Sequence, residues 1–295
     1  MRFNRIIIVG GGPAGMACAI QLKRMGLDPL VIEKKRPGGM LFNANLIENY
    51  PGFPGGISGP DLAGRIVQQF KSFDIGLHYD EIKLVDYSGD RFFLNSSSGL
   101  YGCNILVVAS GTSPRIPEEL PEELIEKGLI RFDISDLREV SGKTIGIIGA
   151  GDAAFDYSLT LAENNNNVFI FNRRNQIKAL KALSEKVFIN NRINYLPHTV
   201  LKSLEINANN GLDAICVSAS SNMKYSLDYF IFATGRKPAD GFFRESLEGL
   251  FPGLLKEQRL YLIGDVINGN YRQVSVAVGD GVRAAMEIFR NESNQ

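Results

Sequence analysis

Two stretches of the chain follow one plan, and that duplication restricts the fold more than any other feature. The apolar run Ile6–Val9 enters a turn with Gly10, Gly12 and Gly15 as G-x-G-x-x-G, which opens a helix with Met16, Ala19, Ile20 and Met25 at helical spacing. The run "PLVIEKK" comes next, carrying Glu33 near its end. From Lys143 onward, "TIGIIGAGDAAFDYSLTLAENNNNVFIFNRR" repeats strand, turn (Gly149, Gly151, Ala154), helix and strand, and the interval from Gly10 to Glu33 equals that from Gly149 to Asn172. A repeat of this length marks one structural unit used twice. Short β-branched runs without polar alternation belong in parallel sheets covered on both faces. The expected class is α/β, with two Rossmann-like, three-layer ββα dinucleotide-binding domains.

The bulk numbers agree and exclude other classes. With 295 residues and 44% apolar content, the chain can bury two ordinary cores. Lys plus Arg and Asp plus Glu both number 32, so no net field exists to hold a polyanion, and nucleic acid is not an expected partner. Cys18, Cys103 and Cys216 lie far apart in no CxxC or metal-ligand spacing, which points to core thiols, a reducing compartment and no bound metal. The opening "MRFNRIIIVGG" breaks into glycines after four apolar residues, unlike a signal peptide, and no run reaches the length of a membrane span. A soluble cytoplasmic protein is expected.

The rest of the chain reads as connections and cover. Asn45 to Gly59 is rich in Gly, Pro and Asn and is expected to be an irregular loop, leading to a helix from about Asp61 to Phe73. The runs "IKLVDYSG", "RFFLNSS" and "LYGCNILVVASG" predict an antiparallel meander returning to the parallel sheet, and a second meander is expected from about Val200 to Ser218. "YFIFATG" echoes "ILVVASG". Asn164 to Asn167 read as a helix-to-strand turn. The Pro-rich stretch Thr112 to Gly128 and the return "GRKPADGFF" predict the two crossings between domains, with hinges at Pro114 to Leu120 and Gly235 to Gly241. The expected division is 1–115 with 242–295 for the first domain and 116–241 for the inserted one. His78 is placed in a meander strand and His198 in a turn. Asp152 and Asp156 are read as complements to the helix dipole or as dimer contacts.

Glycines at these spacings let the chain turn tightly and approach a pyrophosphate, while the helix N-terminus offers N–H groups and partial positive charge. The two copies differ at the end of the second strand. Glu33 can accept both ribose hydroxyls of an adenosine, which suits FAD or NAD and repels a 2′-phosphate. The matched place in the second copy holds Asn172, Arg173 and Arg174, with Lys178 shortly after, a cationic fork for a phosphate. The first turn is thus expected to hold a flavin dinucleotide and the second NADPH, in preference to NADH.

At this point the motifs "GGGPAGMACAI", "IENYPGFP", "VVASGTSPR", "GIIGAGDAA", "NRRNQIKA", "FATGRKP" and "LIGDV" with "RQVSVAVGDG" resemble, in order along the whole chain, the two-dinucleotide flavoprotein reductases of the thioredoxin reductase type. The resemblance implies an FAD domain made of both chain ends, an inserted NADPH domain, and a homodimer. Carried onto this sequence, it puts FAD on Gly10, Gly12, Pro13, Ala14, Gly15, Glu33, Gly39, Met40, Asn49, Gly111, Gly264, Asp265, Arg272, Gln273 and Val274. It puts NADPH on Gly149, Gly151, Asp152, Ala153, Ala154, Arg173, Arg174, Lys178 and Gly235. No catalytic acid, base or nucleophile is expected, because hydride transfer is the work of the cofactors.

One departure decides the chemistry. Members of that type carry a CxxC on the segment equivalent to Arg131–Asp136, which here reads "RFDISD". A sister branch, the ferredoxin or flavodoxin NADP reductases built on the same plan, also lacks the cysteines, and "GAGDAAFD" is similar to it. The expected acceptor is a redox protein or small molecule that takes electrons directly. A flavin-binding redox sensor and a disulfide reductase using a partner's thiols are the alternatives.

Overall fold

The computed structural model describes residues 1–218 and 221–293. The chain forms two compact units, one made of Met1–Phe42, Glu48–Ser113 and Arg236–Gln295, the other of Asn43–Ile47 and Pro114–Gly235.

In the first unit Ile6–Val9 is the central strand of a parallel five-stranded sheet, ordered Leu260–Leu262, Ile105–Val108, Ile6–Val9, Pro29–Glu33, Gly76–Tyr79. Successive side chains of a strand point to opposite faces. Ile6 and Ile8 therefore join Met16, Leu22, Val31 and Ile288 on one side, while Ile7 and Val9 join Val85, Phe92, Leu94 and Tyr101 on the other. That two-sided burial is why the run shows no polar alternation. Helices Pro13–Arg24, Gly59–Ser72 and Val274–Ser293 belong to the first face. The meander Ile82–Ser88, Arg91–Ser96 and Leu100–Cys103 covers the second, giving three layers.

The second unit repeats the arrangement. Its parallel sheet is ordered Ile130–Arg131, Tyr229–Phe232, Thr144–Ile148, Asn167–Phe171, Ile193–Leu196. Helices Asp152–Glu163 and Lys181–Phe188 cover one face, and Thr199–Ile206, Leu212–Ser218 and Ser221–Leu227 form an antiparallel sheet on the other. The echoing segments "ILVV" and "YFIF" take the same place, beside the central strand. Only the outermost strand differs in origin: it comes from near the C-terminus in the first unit and from ahead of the copy in the second.

Several expectations need correction. His78 lies in Gly76–Tyr79, the edge strand of the parallel sheet, not in the meander. The loop expected from Asn45 to Gly59 holds two short strands, Leu46–Ile47 and Ile57–Ser58. The helix expected from Asp61 starts at Gly59, because Ser58 Oγ accepts the Asp61 N–H at 3.1 Å and proline suits the first turn. Asn167 is already strand, and Asn165 alone takes positive φ in the turn before it. The second unit ends at Gly235 and the first resumes at Arg236, at the start of the expected Gly235 to Gly241 crossing and six residues ahead of the expected 241/242 division. Phe242 O accepts from Val85 N–H at 2.7 Å and Ala239 N–H donates to Gly111 O at 3.1 Å, which fastens the residues after Gly235 to the first unit.

Candidate functional site

In each unit the strand-to-helix turn uses its glycines for two different reasons. Gly10 has φ +110°, and a Cβ there would stand 2.3 Å from Ala109 O; Gly149 has φ +140°, and a Cβ there would stand 2.5 Å from Ala233 O. Both are required by the fold itself. Gly12 (φ −77°, ψ −177°) and Gly151 (φ −100°, ψ 179°) have ordinary extended backbones, and a Cβ at either would meet nothing within 4 Å. Neither strain nor packing explains a glycine there. The space beside them suits a group that approaches the backbone from outside, and neither helix has a side-chain cap on its first N–H groups. A pyrophosphate fits both turns on these grounds. At the third position Gly15 leaves no room, its Cβ falling 2.0 Å from Gly10 O, whereas Ala154 is accommodated and fully buried.

Around the first turn the structure assembles residues from both ends of the chain. Glu33 is buried; its Oε2 accepts the Gly11 N–H at 2.7 Å and its Oε1 the Lys35 N–H at 2.8 Å. Gly38 N–H donates to Gly11 O at 2.8 Å, which lays Gly39 over Gly12, and Met40 comes next in the short 3-10 turn Gly39–Asn43. Gly264 reaches Ala14, where a Cβ on it would come within 2.8 Å of the Ala14 Cβ, and Gly111, with positive φ, accepts the Ala239 N–H. Asn49 and Gln273, 224 residues apart, are joined by Nδ2 to Oε1 at 2.8 Å ahead of Val274, the first residue of the last helix. Burial pushes the Asp265 carboxyl up, against the pull of Arg272 and Arg236. Arg236 in turn is anchored on Thr112, and its carbonyl accepts from Arg272 Nη1 at 3.5 Å. Sequence reading did not foresee that Gly11 donates to Glu33, and it missed Asp280, which accepts the Gly264 N–H at 3.2 Å. The triple glycine was a signal for the first.

Around the second turn, Arg173, Arg174 and Lys178 are exposed on the segment after Asn167–Phe171, and the Lys178 N–H donates to Ala150 O at 2.8 Å. The side chain of Asp152 accepts the Leu180 N–H at 2.8 Å, Ala153 is next in the helix, and Gly235 takes positive φ and accepts the Arg115 N–H at 3.1 Å. Asp156, expected at a dipole or dimer contact, is half-buried on its helix and accepts the Asn45 N–H at 2.9 Å. Burial raises its carboxyl to about 6, reinforced by Glu163 and Asp152 and opposed by the Asn45 N–H and Arg138. Arg138 donates to Ala44 O at 3.2 Å, so Asn43–Ile47 is strapped to this unit.

The segment Arg131–Asp136 buries Ile134, and its Asp133 Oδ1 accepts from the Ser135 N–H and hydroxyl at 2.9 and 2.6 Å. Cys18, Cys103 and Cys216 are buried in three separate core clusters. Burial pushes the Cys18 thiol up to about 12 and the Cys216 thiol up to about 11, and raises that of Cys103 as well. His78 lies beside the Tyr101 ring, and His198 sits at φ +52° after Pro197. Among the described residues no group of His, Cys, Asp and Glu could hold a metal ion, and no helix is long and apolar enough to cross a membrane.

Comparison with known proteins agrees with this geometry. Residues 4–281 match the family described as pyridine nucleotide-disulphide oxidoreductase. Thioredoxin reductase of Chlamydia pneumoniae is 29% identical, covering 98% of this chain and 99% of that protein. A protein named glucosaminate ammonia-lyase, from Pseudomonas fluorescens, is 28% identical over 98% of this chain and 96% of its own length. Among solved structures, thioredoxin reductase of Lactococcus lactis matches with a TM-score of 0.84 at 23% identity, covering 97% of this chain and 98% of that one, a likeness of fold. The chain belongs to the pyridine nucleotide-disulphide oxidoreductase family and is an FAD-dependent oxidoreductase of the thioredoxin reductase-like type.

Proposed function

We propose that the chain takes reducing equivalents from NADPH through FAD directly to a redox protein of the ferredoxin or flavodoxin kind, or to a small acceptor, without a cysteine pair. The observation that carries this reading is the state of the thiols: all three are buried, in separate clusters, and Arg131–Asp136 contains none. A dithiol relay needs two thiols that meet and ionise. FAD, when bound, supplies a ring that accepts hydride from the nicotinamide and releases electrons singly or in pairs.

In this reading Gly10 to Gly15, with Pro13 and Ala14, cradle the FAD pyrophosphate, and the Glu33 oxygens keep spare lone pairs for the adenosine ribose. Gly39, Met40, Asn49 and Gly111 border the ring, while Gly264 and Asp265 serve the ribityl chain. Arg272, Gln273 and Val274 bring backbone N–H groups and the positive end of a 20-residue helix to the ring's polar edge. Gly149, Gly151, Asp152, Ala153, Ala154 and Gly235 receive the donor nucleotide, and Arg173, Arg174 and Lys178 meet its 2′-phosphate, favouring NADPH over NADH. The thiols' need for a reducing environment supports a cytoplasmic setting, and likeness to thioredoxin reductases supports a homodimer.

An anaerobic titration of the FAD-loaded protein with NADPH, and then an acceptor screen of ferredoxin, flavodoxin, quinones, oxygen, ferricyanide and thioredoxin, tests the proposal. Rapid loss of oxidised-flavin absorbance and fast turnover with a direct acceptor are expected. A flavin that NADPH does not reduce would favour a sensor, and turnover confined to thioredoxin or another thiol-bearing protein would favour partner thiols; either overturns the reading.

A further inference from the structure

The second unit places an amide where the first has a carboxylate, and the backbone groups at each position explain the exchange. Glu33 faces two N–H groups, those of Gly11 and Lys35. Asn172 faces one N–H, of Arg174 at 3.1 Å, one carbonyl, of Gln176 at 3.1 Å, and the Tyr195 hydroxyl at 2.8 Å. An acid at 172 has no donor for the Gln176 carbonyl and would set negative charge against it. The amide fills both needs.

Asn172 is itself held still. It is only 7% exposed, its N–H donates to Leu196 O at 3.0 Å, and its carbonyl accepts the Thr199 N–H at 2.9 Å. The Tyr195 ring packs between Phe155 and Phe188, at 5.9 and 5.6 Å between centroids, so the hydroxyl that meets the amide cannot wander. From this fixed point the side chain gathers the loop 173–178 at Arg174 and at Gln176. The loop's far end is tied to the Gly-rich turn by Lys178 N–H on Ala150 O. Its cations, Arg173, Arg174 and Lys178, are exposed and owe their placement to these ties.

We propose that Asn172, backed by Tyr195, is a positioning residue that sets the preference for a 2′-phosphorylated nucleotide, by holding the 173–178 loop in the one shape that presents its cations to a ribose phosphate. This rests on the reading that the second unit takes NADPH. Specificity then lies in the buried fastening as much as in the exposed charges.

Calorimetric titration of the FAD-loaded protein with adenosine 2′,5′-bisphosphate and with adenosine 5′-monophosphate separates the two readings. Wild type is expected to bind the bisphosphate at least about tenfold more tightly. Asn172→Ala removes the fastening without adding charge, and is expected to bring that ratio to about twofold or less while the monophosphate Kd stays within about twofold of wild type. Tyr195→Phe, which keeps the ring, is expected to lower the ratio about threefold, with KM for NADPH raised and kcat for ferricyanide reduction unchanged. A wild type that binds both nucleotides equally overturns the underlying reading. A wild type that discriminates, with both variants discriminating as well as it does, overturns the inference alone. Parallel loss of both nucleotides in a variant that melts like wild type marks a merely structural role and overturns it too.

Discussion

The helices that open from the two Gly-rich turns match step for step, yet they are covered by opposite means. Two residues past Gly15 stands Ala17, and its helix lies so close to Val274–Ser293 that a Cβ on Gly281 would come 2.3 Å from Ala14 O and 3.1 Å from the Ala17 Cβ. Two residues past Ala154 stands Asp156, and the cover is a strap of a few residues, Asn43–Ile47, held by the Asn45 N–H on Asp156, the Asn45 amide on Glu163 and Arg138 on Ala44 O. Copying a βαβ unit therefore leaves its helix face to be finished locally. One solution is dry and close-packed, intolerant of added volume; the other is polar and titratable.

That contrast can be broken from both sides. The largest effect is expected from Gly281→Leu, which forces side-chain volume into a helix contact with no space and should destabilise the first unit by about 3 kcal/mol or more. A denaturation curve should then split into two transitions, with the second unit's transition unmoved. Next, Gly151→Val should fold normally, since its Cβ meets nothing, and yet weaken donor-nucleotide binding about 100-fold with FAD retained. Gly12→Val should do the converse, giving a folded, colourless protein; visible absorbance and calorimetry read both. A variant at either position that binds as wild type would show that the open space serves no ligand.

The smallest effect concerns the strap. Asp156 keeps its proton to about pH 6 in the fold against an ordinary value of 3.8. Between those limits the native state holds more protons than the unfolded chain, so this residue's contribution falls as pH rises through the window and is level above it. Asp156→Asn keeps an acceptor for the Asn45 N–H and cannot ionise. Urea melts at neutral pH should show it more stable than wild type by roughly 2 kcal/mol, with a flatter slope between about pH 4 and 6.

How far these features were legible depends on the distance over which each is decided. The central strands, the turns, Glu33 and the Arg pair are local patterns with local causes, and the three-layer plan came from them. Gly76–Tyr79 carries little signal of its own, being short and partly polar, and is a strand because Pro29–Glu33 pairs with it, which misplaced His78. The second unit gives way to the first at the very start of the expected Gly235 to Gly241 crossing because residues after Gly235 are claimed by hydrogen bonds to Val85 and Gly111. At the sites, Asn49 with Gln273 and Asp156 with Asn45 meet across 224 and 111 residues, and no window of sequence contains both members. Asn172 was read only as the residue that opens the cationic fork with Arg173 and Arg174; that it fastens a loop depends on Tyr195, a strand away.

The origin of the outermost strands has a consequence for biosynthesis. Every strand of the second unit's parallel sheet has left the ribosome once Tyr229–Phe232 emerges, whereas the first unit still waits for Leu260–Leu262 and for the long helix that seals it. Because domains generally fold as units during translation, the inserted half is finished before the half that encloses it in the gene. The nascent N-terminal part must keep its apolar sheet out of wrong partnerships until Leu260–Leu262 and Val274–Ser293 have been made.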